Sequence, residues 1–159
     1  MKNIKIIELK SGLSLFLLAM MQICVMFIFV FEAMMPLQVE MKQHIWTYFN
    51  VITIIVFLIA LKMGKSTINE VVKNKRFRVE GSSTLFRLCF FIFSLTIIII
   101  HIHYNLVYEN TGLSFTLIAI LILVISALLS SLFVSSIPSL FFGVIYGYIL
   151  KKISKPLTT

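Results

Sequence analysis

Chemistry in this chain would have to come from a short inventory: three histidines, two cysteines and six glutamates, with no aspartate anywhere. His101 and His103 stand two positions apart. On a helix that spacing is roughly 200°, so the two rings face opposite ways and cannot share one metal ion. No HExxH pair of histidines occurs, and no GxSxG elbow that would expose a serine nucleophile. Cys24 and Cys89 each lie inside an apolar run, where a cysteine acts as a small buried hydrophobe, and at depths too different to bridge. The inventory points away from an enzyme and away from any metal or cofactor. What remains for the histidines is a place near the membrane interface, with a pH-sensitive or partner-contacting role on the outer face as the alternative.

Uncharged polar residues are more suggestive. Gln22, Thr53 and Thr96 fall at the midpoints of three apolar segments, so they are expected to share one depth as an intramembrane polar layer. An amide in hydrocarbon needs a partner, and interhelical bonds of this kind contribute about 0.6 kcal/mol on average. The alternative for the two threonines is a bond to their own helix, at the carbonyl four residues back. A second pattern runs through Ala127, Ser131, Ser135, Ser139, Gly143 and Gly147, small residues at every fourth position ending in GxxxG. Ser126 and Ser130 widen this strip. Small residues at such spacing let another helix approach closely. The strip is therefore either a packing face for the chain's own helices or a docking face for a partner's membrane helix.

The elements that must position these groups follow from composition. Of 159 residues, 60% are hydrophobic and 13% charged, against about 25% charged in an ordinary soluble domain. Four apolar segments stand out, at 13–31, 45–61, 88–104 and 113–150. A helix needs roughly 17–25 residues to cross the hydrocarbon core. The absence of polar–apolar alternation excludes a membrane β-barrel. The first segment is longer than a signal-peptide core and lacks a small-x-small cleavage site, so it reads as a span. The fourth is too long for one perpendicular helix, and two spans do not fit because no polar turn lies inside it and Pro138 leaves only 12 residues after it; Pro138 is expected to kink or break it. The fold class expected is all-α: one membrane domain, 1–159, of four transmembrane helices.

Charge sets the orientation. Thirteen of the fourteen basic residues fall before the first span, between the second and third, or after the fourth; Lys42 alone lies elsewhere. Cytoplasmic segments carry such an excess, so both termini are expected inside. The net charge of +8 is thus a topology signal, and the basic residues meet anionic lipid headgroups. Nucleic acid is not an expected partner, because Lys73–Arg78 has no aromatic stacking platform beside it. The basic segment 62–87 is expected to be a cytoplasmic loop holding a short amphipathic helix around Ile68, Val71 and Val72. A turn at Gly81, Ser82, Ser83 and Thr84 should end it. No charge falls in the middle of any span, which argues against proton relays and charged-ring channels.

A four-span bundle with both ends inside and a basic middle loop resembles the colicin A-type immunity proteins. The outer loop after the third span carries Tyr104-Asn105-Leu106 and then Thr111-Gly112, which is similar to that group. The basic segment opening at Lys62, Lys65 and Ile68 is similar too, as is a late proline before Lys151-Lys152. The similarity covers roughly residues 50–152. It departs at 112–138, which is shorter and less polar than in that family, and in the first outer loop. The resemblance implies a multi-pass protein of the bacterial inner membrane. It implies that the chain binds a membrane-inserting toxin and blocks its pore-forming helices within the bilayer, with Tyr104, Asn105, Leu106, Thr111 and Gly112 near the first contact. The alternatives are exclusion of an entering plasmid or phage, or a small transporter or channel subunit. Reporter fusions after Lys75 and Lys155 are expected to report cytoplasm, and fusions at Gln43 and Asn110 the opposite side; a reversed pattern would overturn the orientation.

Overall fold

The computed structural model describes residues 2–27, 39–107 and 117–158, with side chains at 4–25, 50–99, 102 and 120–155. The described residues form four helices and no strand: α1 (Lys2–Phe27), α2 (Val39–Asn74), α3 (Phe77–Val107) and α4 (Leu117–Thr158). Each contains a stretch long and apolar enough to cross a membrane. The protein is an all-α, multi-pass membrane protein. At about 1.5 Å per residue, the 36 residues of α2 and the 42 of α4 make rods of roughly 54 and 63 Å. The hydrocarbon core is only about 30 Å thick. These helices therefore project well beyond it.

Neighbouring helices run antiparallel. Glu8, Ser11 and Gly12 of α1 meet Lys65, Gly64 and Leu61 of α2, in opposite order. Gly143 and Gly147 of α4 meet Ser82 and Phe77 of α3. Ser11 touches Tyr146, while Gln22, further along α1, touches Ser139, earlier on α4. Both termini and the α2–α3 junction thus share one end of the bundle. Thirteen of the fourteen basic residues belong to the segments that meet there.

The segment 62–87 is not a loop. α2 continues through it to Asn74, and α3 begins at Phe77. The helix persists because its buried face persists: Ala60, Gly64, Thr67, Ile68 and Val71 continue the inward line of Ile52 and Val56. The lysines of this stretch are exposed; Lys65 Nζ pairs with Glu8 at 3.6 Å, and Lys62, Lys73 and Lys75 extend from the bundle toward the headgroups. The expected turn at 81–84 is likewise absent. Gly81 is helical, and its smallness serves close packing against α4. Nor does Pro138 break α4, which runs unbroken through it as one helix.

Only Lys75 and Arg76 separate α2 from α3. The Lys75 amide donates to the Val71 carbonyl at 2.8 Å, and Lys75 has φ 56°. This is the left-handed helix cap, in which one amide past the helix end closes back onto the last turn. A lysine pays a steric cost there that glycine avoids. The Glu80 amide then bonds Arg76 O at 3.0 Å and starts α3. Replacing Lys75 with Gly is expected to raise resistance to unfolding in detergent by about 1 kcal/mol, and Lys75→Val to lower it. An SDS titration of the folded fraction checks both directions.

Candidate functional site

The bundle is built as two pairs of helices. Within each pair, backbone touches backbone through glycine. A Cβ placed on Gly64 would lie 2.5 Å from Gly12 Cα, and one on Gly12 would lie 2.8 Å from Leu61 Cα. That seam joins α1 to α2, with Phe16 and Phe57 edge to face beside it at 5.2 Å. In the other pair, a Cβ on Gly81 would sit 2.6 Å from Gly143 O, and one on Gly147 would sit 2.6 Å from Phe77 O. A Cβ on Gly143 would collide with Ser82. No side chain fits in either seam, so the helices approach as closely as backbones can.

One apolar core runs through all four helices, and polar contacts also cross between the pairs. Ser11 Oγ donates to Gly64 O at 2.8 Å, which leaves it to accept from Tyr146 Oη at 2.9 Å. This node ties α1, α2 and α4 together, and Tyr146 is fully buried in it. Thr67 and Thr84 hydroxyls bond each other at 2.9 Å across α2 and α3. Gln22, also fully buried, donates from Nε2 to Ser139 Oγ at 2.8 Å and, more weakly, to Ser135 O at 3.4 Å on α4. These two residues flank Pro138, which has no N–H to offer the Val134 carbonyl one turn back. A proline in a membrane helix is tolerated where neighbours restore the lost bonding, and Gln22 braces α4 at this place.

Of the expected polar layer, Gln22 bonds to a neighbouring helix. The hydrogen bonds of Gln22 run to the serine strip of α4. Thr96 donates at 2.8 Å to Ile92 O of its own helix, and Thr53 is half-buried on α2. The strip itself points inward: Ala127, Ser131, Ser135, Ser139, Gly143 and Gly147 are all buried within the single chain. As a docking face for a second protein it is unavailable, since α1 and α3 occupy it. The outward face of α4 is instead large and apolar, with Phe133 at 74% and Ile137 at 76% exposure. That is lipid-facing surface.

The outer-loop residues Thr111 and Gly112 lie outside the described residues. Tyr104, Asn105 and Leu106 belong to the last turns of α3, their side chains outside the description along with those of His101 and His103. Both cysteines are free, Cys24 exposed and Cys89 buried. Among the described residues no group of three or more His, Cys, Asp or Glu gathers to hold a metal. Sequence reasoning missed the Gly12–Gly64 contact and the Ser11–Tyr146 node. The available signal was the small pair Ser11-Gly12, together with a tyrosine set among glycines.

No family model, curated protein or solved structure matches this chain. What the fold and its interior define is a class: a multi-pass helical membrane protein held by glycine seams and polar bridges. Gly143→Ala is expected to destabilise the isolated protein by about 1–3 kcal/mol, as overpacking does, whereas Leu121→Ile on the exposed face should leave it unchanged. Thermal unfolding of the purified chain in detergent measures both.

Proposed function

We propose that this chain is an immunity protein of the bacterial inner membrane, which binds a pore-forming bacteriocin within the bilayer and keeps its channel closed. The observation that carries the reading is the similarity of the outer segment Tyr104-Asn105-Leu106 with Thr111-Gly112 to the colicin A-type immunity proteins. The architecture agrees with such a role: four membrane helices, both termini and a basic helical tip at one end. The positive-inside rule then puts that end in the cytoplasm and the α3–α4 connection on the side from which a toxin arrives.

A protein that acts by binding in the membrane needs a rigid body and an outward surface, and no charged relay. The glycine seams supply the first, and the exposed Ile54, Leu58, Phe133 and Phe141 supply apolar surface in contact with lipid. Since the small-residue strip is buried, toxin contact falls to the outer connection and the lipid-facing helix surfaces. Cells expressing the chain are expected to survive a pore-forming bacteriocin that depolarises control cells. Asn105→Ala with Thr111→Ala should lower that protection at an unchanged protein level. Potassium efflux on challenge reads the outcome, and no protection against any of a panel of such toxins would leave exclusion of an entering plasmid or phage as the better reading.

A further inference from the structure

Two rows of residues meet along the outer edge of the α3–α4 seam. On α3, Arg78, Ser82 and Phe86 recur at every fourth position. On α4, Leu140, Val144, Gly147 and Lys151 follow at spacings of four, three and four. Each row therefore keeps to one side of its helix. The glycines bring the rows together. A Cβ on Gly147 would lie 2.9 Å from Arg78 Cα, and one on Gly143 would lie 2.7 Å from Ser82 Oγ. Arg78, Leu140, Val144 and Lys151 are exposed, and Ser82 and Phe86 are half-buried. The two rows thus make one outward strip, apolar along the membrane and cationic at its cytoplasmic end.

Arg78 and Lys151 are the cations of that end. Arg78 crosses beside Gly147, and Lys151 stands one turn beyond that glycine, roughly 6 Å of rise. Both long side chains therefore reach one space. Neither forms an ion pair with a described residue, and Glu80 turns about 200° away from Arg78 around α3. Tyr148, exposed directly after Gly147, is an aromatic of the kind that sits at headgroup depth. We infer that this strip binds one anionic phospholipid of the cytoplasmic leaflet, of the phosphatidylglycerol class. Its phosphate lies between Arg78 and Lys151, where the guanidinium donates two parallel hydrogen bonds to the phosphate oxygens. An acyl chain follows Phe86, Val144 and Leu140 into the membrane. The Ser82 hydroxyl, which bonds no described residue, stands one turn deeper than Arg78, at the depth of the lipid's ester carbonyls. Two cations with no carboxylate beside them match a headgroup of net negative charge, whereas phosphatidylethanolamine brings an ammonium of its own. Such a site requires position as well as charge, unlike the general attraction of basic residues for headgroups, and it is independent of any toxin.

Native mass spectrometry of the full chain in detergent, titrated with dioleoylphosphatidylglycerol, reads the site. One lipid is expected to stay bound when the others are stripped, and to bind more tightly than dioleoylphosphatidylethanolamine. Arg78→Gln with Lys151→Gln is expected to weaken that lipid by roughly fivefold for each charge removed. Lys5→Gln with Lys62→Gln removes the same charge from exposed positions on α1 and α2, and is expected to leave the lipid in place. Equal losses in the two double variants would assign the binding to diffuse charge and overturn the site. Equal affinity for the ethanolamine lipid, or no retained lipid at all, also overturns it, and both are read on the wild-type chain alone. Displacement of the lipid by inorganic phosphate would mark a site for a soluble anion and overturn the lipid assignment.

Discussion

Lipid tails are as apolar as leucine, so burying a leucine against another helix inside a bilayer gains little over leaving it in lipid. Whatever holds four helices together here must come from close contact and from hydrogen bonds. The glycine seams meet the first need. At Gly12 with Gly64, and at Gly81 with Gly143 and Gly147, one backbone rests on another with no room for a methyl group. Side chains such as Leu15, Ile68, Leu85 and Leu150 fill the space around these contacts and are fully buried, while Leu17, Ile54, Phe133 and Ile137 face outward with no loss.

Hydrogen bonds meet the second need, and they are spent where the two helix pairs join. Ser11, Tyr146, Thr67, Thr84, Gln22 and Ser139 form a sparse framework between halves that are each closed by glycine. The division has a physical logic. Backbone contact demands a fixed register, whereas a hydroxyl or an amide tolerates a few tenths of an ångström of adjustment. The chain is thus two glycine-closed halves whose boundary is bridged by hydroxyls and an amide. Pro138 sits on that boundary, where the loss of one α4 bond coincides with the amide of Gln22.

Much of this was legible in the residues themselves. Four apolar segments, the one-sided basic residues and the four-residue recurrence of small side chains in α4 foretold a helical bundle with a tightly packed fourth helix. Element boundaries were less legible. The lysines and arginines of 62–87 mimic a loop because charge dominates composition there, yet the inward face repeats at Gly64, Thr67, Ile68 and Val71 as it does deeper in the membrane. Gly81 beside three hydroxyl residues has the composition of a turn, and only the facing glycines of α4 reveal its other use. For the polar groups, the midpoint rule placed Gln22 in the interior but could not name its partner. Partners depend on how helices rotate about their axes, which spacing along one chain does not encode.

The left-handed cap at Lys75 has a consequence for how the molecule meets proteases. Lys73, Lys75, Arg76 and Arg78 make the α2–α3 tip dense in sites that a trypsin-like enzyme recognises, and all four side chains are exposed. Such an enzyme must draw several residues into an extended strand before it can cut. Here the helices stop on either side of a two-residue link, so the tip yields that strand only when the ends of α2 and α3 unwind. Cleavage at this tip would therefore report the fraying of two helices, a property of local unfolding rather than of surface access.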